Sequence, residues 1–133
     1  MESARKKLIG MRLGVIGAPS DWLISSIASP MAVKQKLGIE IVNIAIDEVV
    51  DAYNAIADTP SDCATLAEKA TTKATKEAVT GAVKLYYALK EVVSRHRLNG
   101  FTIRCFDLLG VVRNTSCYAL ARLNAEGIVA GCE

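Results

Sequence analysis

The sequence predicts an α/β protein built on an open, mostly parallel sheet of about four or more strands with flanking helices. Three observations predict it. Short apolar, β-prone runs recur at four places, helix-forming stretches separate successive runs, and no two runs are joined by a two-residue hairpin turn. Strands that alternate with helices need crossover connections, and crossovers make neighbouring strands parallel. The 133 residues suffice for one domain with a core, and 51% hydrophobic against 23% charged residues, with a mean hydropathy of +0.26, supply the apolar material for it.

The first strand is read at 13–17 (LGVIG), and Ala18, Pro19, Ser20 and Asp21 then turn the chain and cap a helix. That helix carries Trp22, Leu23, Ile24 and Ile27, continues through an irregularity at Ser29-Pro30 to Lys36, and stops at Gly38 in a left-handed conformation. A second strand follows at 39–45 (IEIVNIA). Asp47 caps a helix whose Val49, Val50, Tyr53 and Ile56 share a face, ending before Thr59-Pro60. From Ser61 to Arg97 the pattern is helical, with Val79, Val83, Tyr86, Leu89 and Val93 as its apolar stripe, divided at either Gly81 or the Thr71 to Thr75 stretch. The third strand is read at 101–106 (FTIRCF), a helix capped by Thr115 or Ser116 runs through Leu123, and a fourth strand occupies 128–132 (IVAGC). Residues 1–10 read as a flexible segment and 11–133 as one α/β domain, of the flavodoxin or Rossmann-like kind.

In such a sheet, ligands bind beyond the carboxyl ends of the strands. Those ends are Gly17 to Asp21, Ile46 to Glu48, Asp107 with the loop Leu108 to Asn114, and Glu133. If the third and fourth strands are neighbours, Asp107 and Glu133 form an acidic pair at one crevice, suited to a divalent cation with oxygen ligands or to acid/base work on a polyol. An Asp after a strand also serves as a turn former, and that reading of Asp107 stands beside the first. Arg104 alternates within the third strand and reaches either the ligand edge or an outer surface. Trp22, near the first strand end, packs into the protein or offers an apolar face to a ligand or a neighbouring subunit.

Other chemistries find little support. Sixteen basic and fourteen acidic residues give a net charge of +2, and the basic ones are scattered apart from Arg5, Lys6 and Lys7, so nucleic acid is not an expected partner. Gly14-x-x-Gly17 lacks the spacing of a dinucleotide loop. Cys63, Cys105, Cys117 and Cys132 are too far apart for a CxxC motif and read as reduced, mostly buried thiols of a cytoplasmic protein. Neither a signal peptide nor a membrane span is indicated. His96, between Arg95 and Arg97 at a helix end, has no second histidine to join in catalysis or metal binding.

Two segments, TIRCFDLL at 102–109 and SCYALARLNAEGIVAGCE at 116–133, resemble the central part of the L-fucose/L-arabinose isomerase-like family, with its small archaeal and bacterial members closest. In that family an RCFDLL-type strand leads through a CLALSLLN-like helix to a strand ending in ACEGD. MRLGVIGAPSDW at 11–22 and the stretch from Ile39 to Tyr53 are similar to the family's opening units, so the likeness spans nearly the whole chain, strongly after Leu98 and loosely before it. The resemblance implies an α/β amino-terminal domain, aldose–ketose isomerisation through an ene-diol, a homo-oligomer, and a manganese or other divalent ion held by a Glu, an Asp and a His. The Glu of ACEGD matches Glu133, which would be both metal ligand and proton carrier; Trp22, Arg104 and Asp107 would border the monosaccharide. The Gly-Asp that follows that Glu in the family, and the Asp and His ligands, are not in this sequence. It therefore reads as an amino-terminal portion or a degenerate gene product, inactive and weakly metal-binding by itself. A non-catalytic flavodoxin-like module that binds a small ligand is the competing expectation.

Overall fold

A computed structural model describes residues 2–19, 28–69 and 75–132. Four strands form one parallel sheet in the order β2-β1-β3-β4, with β1 at Arg12–Ile16, β2 at Glu40–Ile44, β3 at Gly100–Ile103 and β4 at Val129–Cys132. The register runs Val15 opposite both Asn43 and Thr102, and Ile103 opposite Cys132. The α/β class and the parallel pairing are thus as the sequence predicts. The chain moves outward from β1 to β2, then returns to the other side of β1 for β3 and β4. The order therefore reverses between β1 and β3, and this switch point opens a crevice at the strand ends.

Six helices accompany the sheet among the described residues: α1 (Glu2–Leu8), α2 (Pro30–Leu37), α3 (Ile46–Ala55), α4 (Cys63–Lys69), α5 (Lys76–Arg95) and α6 (Cys117–Ala125). The first ten residues, expected as a flexible segment, contain α1; ESARKKL is rich in helix formers, and Gly10 N–H then donates to Gly38 O at 2.9 Å. Pro30 starts α2, where the Ser29 hydroxyl accepts from Ala32 N–H and proline at the first helical position loses no hydrogen bond; the preceding part of the expected helix, 20–27, lies outside the described residues. Gly38 ends α2 with φ of 74°, the conformation that favours glycine, and a Cβ there would lie 3.0 Å from the Ile9 Cα.

Gly81 lies inside α5 and does not divide it; 71–74 lie outside the described residues, and Thr75 caps α5 by accepting from Ala78 N–H at 3.1 Å. The apolar stripe of α5 is buried as its spacing requires, Val79, Val83, Tyr86, Leu89 and Val93 all facing inward. With Val49 and Ala52 of α3 and Leu120 and Leu123 of α6, it covers one sheet face through Ile16, Ile44, Phe101 and Ile103. Each fully buried Leu or Ile contributes about 1.5–3 kcal/mol relative to exposure. The third strand is shorter than expected, because the chain leaves it at Arg104 for a 3-10 turn over Cys105–Leu108. Leu108 in that turn is fully buried, and seating it under the helices requires the strand to end. No described helix is long and apolar enough to cross a membrane.

Candidate functional site

An open cleft of about 640 Å³ lies where β1, β2 and β3 end. Its lining is Gly17, Ala18 and Pro19 after β1, Asn43 to Asp47 at the end of β2 and start of α3, and Arg104 and Asp107 after β3. Backbone hydrogen bonds fix the three ends: Gly17 N–H donates to Ile44 O and Arg104 N–H to Ile16 O, both at 3.0 Å. Gly17 has φ of 88°, and a Cβ on it would stand 3.1 Å from the Arg104 Cβ. Glycine there both permits the turn and lets Arg104 cross over the end of β1.

The Arg104 Nε lies 3.2 Å from Asp107 Oδ1, a pairing one 3-10 turn apart, with the two side chains 24% and 40% exposed. Asp107 is thus a turn residue, as its bland reading held, and a cleft carboxylate as well. Arg104 stands one residue past the strand, at the ligand edge. Asp47 adds a second carboxylate in the first turn of α3, where the helix dipole favours negative charge. Asn43, facing the cleft from within β2, was missed as a site residue; the signal was a polar residue interrupting the apolar run IEIVNIA. The site therefore combines amide, carboxylate and guanidinium groups on a partly apolar floor.

β3 and β4 are hydrogen-bonded neighbours, which brings the segments carrying Asp107 and Cys132 to one edge of the sheet. Trp22 and Glu133 lie outside the described residues. Among the described residues no group of three His, Cys, Asp or Glu could hold a metal ion. Asp47 and Asp107, one of them ion-paired to Arg104, do not by themselves fit manganese.

A second ionic cluster joins helices and shares no residue with the cleft. Tyr86 Oη donates to Glu126 Oε1 at 2.5 Å, Lys90 Nζ reaches both groups at 2.8 Å, and the Arg122 guanidinium lies 3.9 Å over the Tyr86 ring while pairing with Asp62. Arg122 holds the Asp62 carboxyl below its usual range, and Lys90 does the same to Glu126. Burial, reinforced by the Glu126 carboxylate, pushes the Tyr86 hydroxyl up. His96 caps the end of α5, with Nε2 2.8 Å from Glu48. The cysteines divide evenly between buried (Cys63, Cys105) and exposed (Cys117, Cys132), where mostly buried thiols were expected; Cys132 sits on β4, an outer strand of the sheet among the described residues.

Compared with known proteins, the chain matches no protein-family model and no curated protein.

Proposed function

We propose that the strand-end cleft binds the hydroxyl-rich chain of a monosaccharide, and that this α/β unit is part of an aldose–ketose isomerase. The observation that carries the reading is the position of the cleft. It lies at the switch point of a parallel sheet, within the roughly 300–1,000 Å³ range of small-molecule sites, with the Arg104–Asp107 pair at its rim. Arg104 offers N–H donors and Asp107 accepts, so adjacent sugar hydroxyls, each donor and acceptor, can satisfy both without a net charge on the ligand. Asn43 supplies one further donor and acceptor. In this reading Glu133, next in sequence after β4, keeps the ligand role that the resemblance to fucose isomerases gives it. The chain also self-associates, which would cover Phe106 and Val111, 67% and 62% exposed in the segment after β3.

The test titrates the protein with L-fucose, L-arabinose and their ketoses while amide resonances are followed, with and without manganese, and assays interconversion. The expected shifts cluster at Gly17, Asn43, Arg104 and Asp107 and are lost in Arg104→Ala. Binding without conversion in the presence of manganese would favour the non-catalytic module. No perturbation of these amides by millimolar sugar would sink the cleft assignment itself.

A further inference from the structure

β4 ends the strand order, hydrogen-bonded to β3 and to no other strand among the described residues. In a ladder, alternate residues turn their N–H and C=O groups to opposite sides. The Val129 N–H donates to Asn99 O at 3.3 Å, and Ala130 stands opposite Phe101, so Val129 and Gly131 address β3 while the Ala130 N–H and C=O point away from it. These are the groups a further strand would take. A side chain takes them instead: Ala130 N–H donates to Asn124 Oδ1 at 3.2 Å, and Asn124 Nδ2 donates to Ala130 O at 2.6 Å. A residue that accepts from and donates to the same neighbour reproduces the two-bond exchange of an antiparallel strand pair.

Asn124, in the last turn of α6, is held in that position because its Nδ2 also donates to Leu120 O at 2.9 Å. A helix-end cap would need only this bond. The two bonds to Ala130 need an acceptor and a donor on one short side chain, which suits asparagine: lysine and arginine cannot accept, and an ionised aspartate cannot donate. The strand itself offers no guard. VAGC carries neither charge nor proline, two of the devices by which exposed edges avoid pairing, and Val129 is 64% exposed. β2, at the opposite edge, carries the exposed Glu40 and has α2 packed beside it.

We propose that the outer edge of β4 is a strand-pairing surface held shut by Asn124, and that moving its amide aside opens the edge to β4 of a second copy of the chain. Two such strands related by a two-fold axis at Ala130 run antiparallel. Each Ala130 then accepts from and donates to the other, the same two bonds that Asn124 supplies in the closed state. The two sheets join into one across that axis. Neither Asn124 nor Ala130 lines the cleft, so the device stands whether or not the cleft binds sugar, and it is separate from association through Phe106 and Val111.

Amide hydrogen exchange of the wild-type protein comes first, because it needs no substitution and stands even if a variant fails to fold. The Ala130 N–H, although on an outer edge, should exchange about tenfold or more slower than in the unfolded chain. In dilute Asn124→Ala that protection is lost while the inward amides of Val129 and Gly131 keep theirs. At higher concentration the variant associates beyond wild type in sedimentation velocity, and adding Val129→Lys, which sets a charge beside the edge, reverses the association. Asn124→Asp keeps the acceptor but places a carboxylate against the Leu120 and Ala130 carbonyl oxygens, so it behaves as Asn124→Ala. An unprotected Ala130 amide in wild type, or unchanged protection in Asn124→Ala, would overturn the closed edge. Lost protection without added association would overturn the pairing surface.

Discussion

Gly100 begins β3, and it is a position where a single methyl group should part the two strands that carry the candidate edge. A Cβ there would lie 2.6 Å from the Val129 carbonyl oxygen and 3.1 Å from the Val129 Cβ. The first contact is with backbone, so no rotamer change relieves it; either β4 shifts or β3 does. Overpacking of this kind costs about 3 kcal/mol at the upper end of its usual range. Replacing glycine also restricts the unfolded chain, which returns about 0.7 kcal/mol. The net loss is about 2 kcal/mol. For a chain of this length the unfolding entropy is roughly 0.3 kcal/mol per kelvin, so Gly100→Ala lowers Tm by about 7 °C. Gly131, in the neighbouring strand, is the control, because a Cβ there meets nothing within 4 Å. Gly131→Ala is expected to be neutral or to raise Tm by about 1–3 °C. Thermal melts followed by circular dichroism read both. An unchanged Tm in Gly100→Ala, or an equal fall in Gly131→Ala, would refute the steric argument and with it the close β3–β4 register.

Leu89 is fully buried in the stripe of α5, so Leu89→Ala leaves a cavity and costs about 3 kcal/mol, read as a lower urea midpoint at constant slope. Asp62 has a depressed pKa in the folded state because Arg122 donates to it, so its contribution is complete above the unfolded value near 4 and is lost as pH falls through the lower folded value. Asp62→Asn should therefore lower stability at neutral pH and flatten the decline below about pH 4, and an acid limb identical to wild type would count against the pairing. Arg104→Ala removes a partly exposed ion pair, costs about 1 kcal/mol or less in stability, and weakens sugar binding about tenfold; calorimetry showing unaltered affinity would take Arg104 out of the site.

Much of this architecture was legible locally. The four apolar runs, the left-handed glycine at position 38 and the stripe from Val79 to Val93 are fixed by interactions within a few residues, so their pattern is written in neighbouring positions. Arg104 and Asp107 could be singled out because a parallel sheet directs ligands to its strand ends, whatever the sequence of the connecting helices. The length of β3 was not legible: TIRCF reads as strand, but burying Leu108 outweighs extending the ladder, and that balance depends on helices distant in sequence.

The sequence by itself determined the class of fold, the spacing of its strands and the edge on which to look for chemistry. Only the tertiary structure decided which residues share that edge. The strand order β2-β1-β3-β4 places Gly17, Asn43 and Arg104 around one cleft, although they are dispersed along the chain. Pairing between strands distant in sequence is selected by the packing of both sheet and helices at once, and no local pattern encodes it.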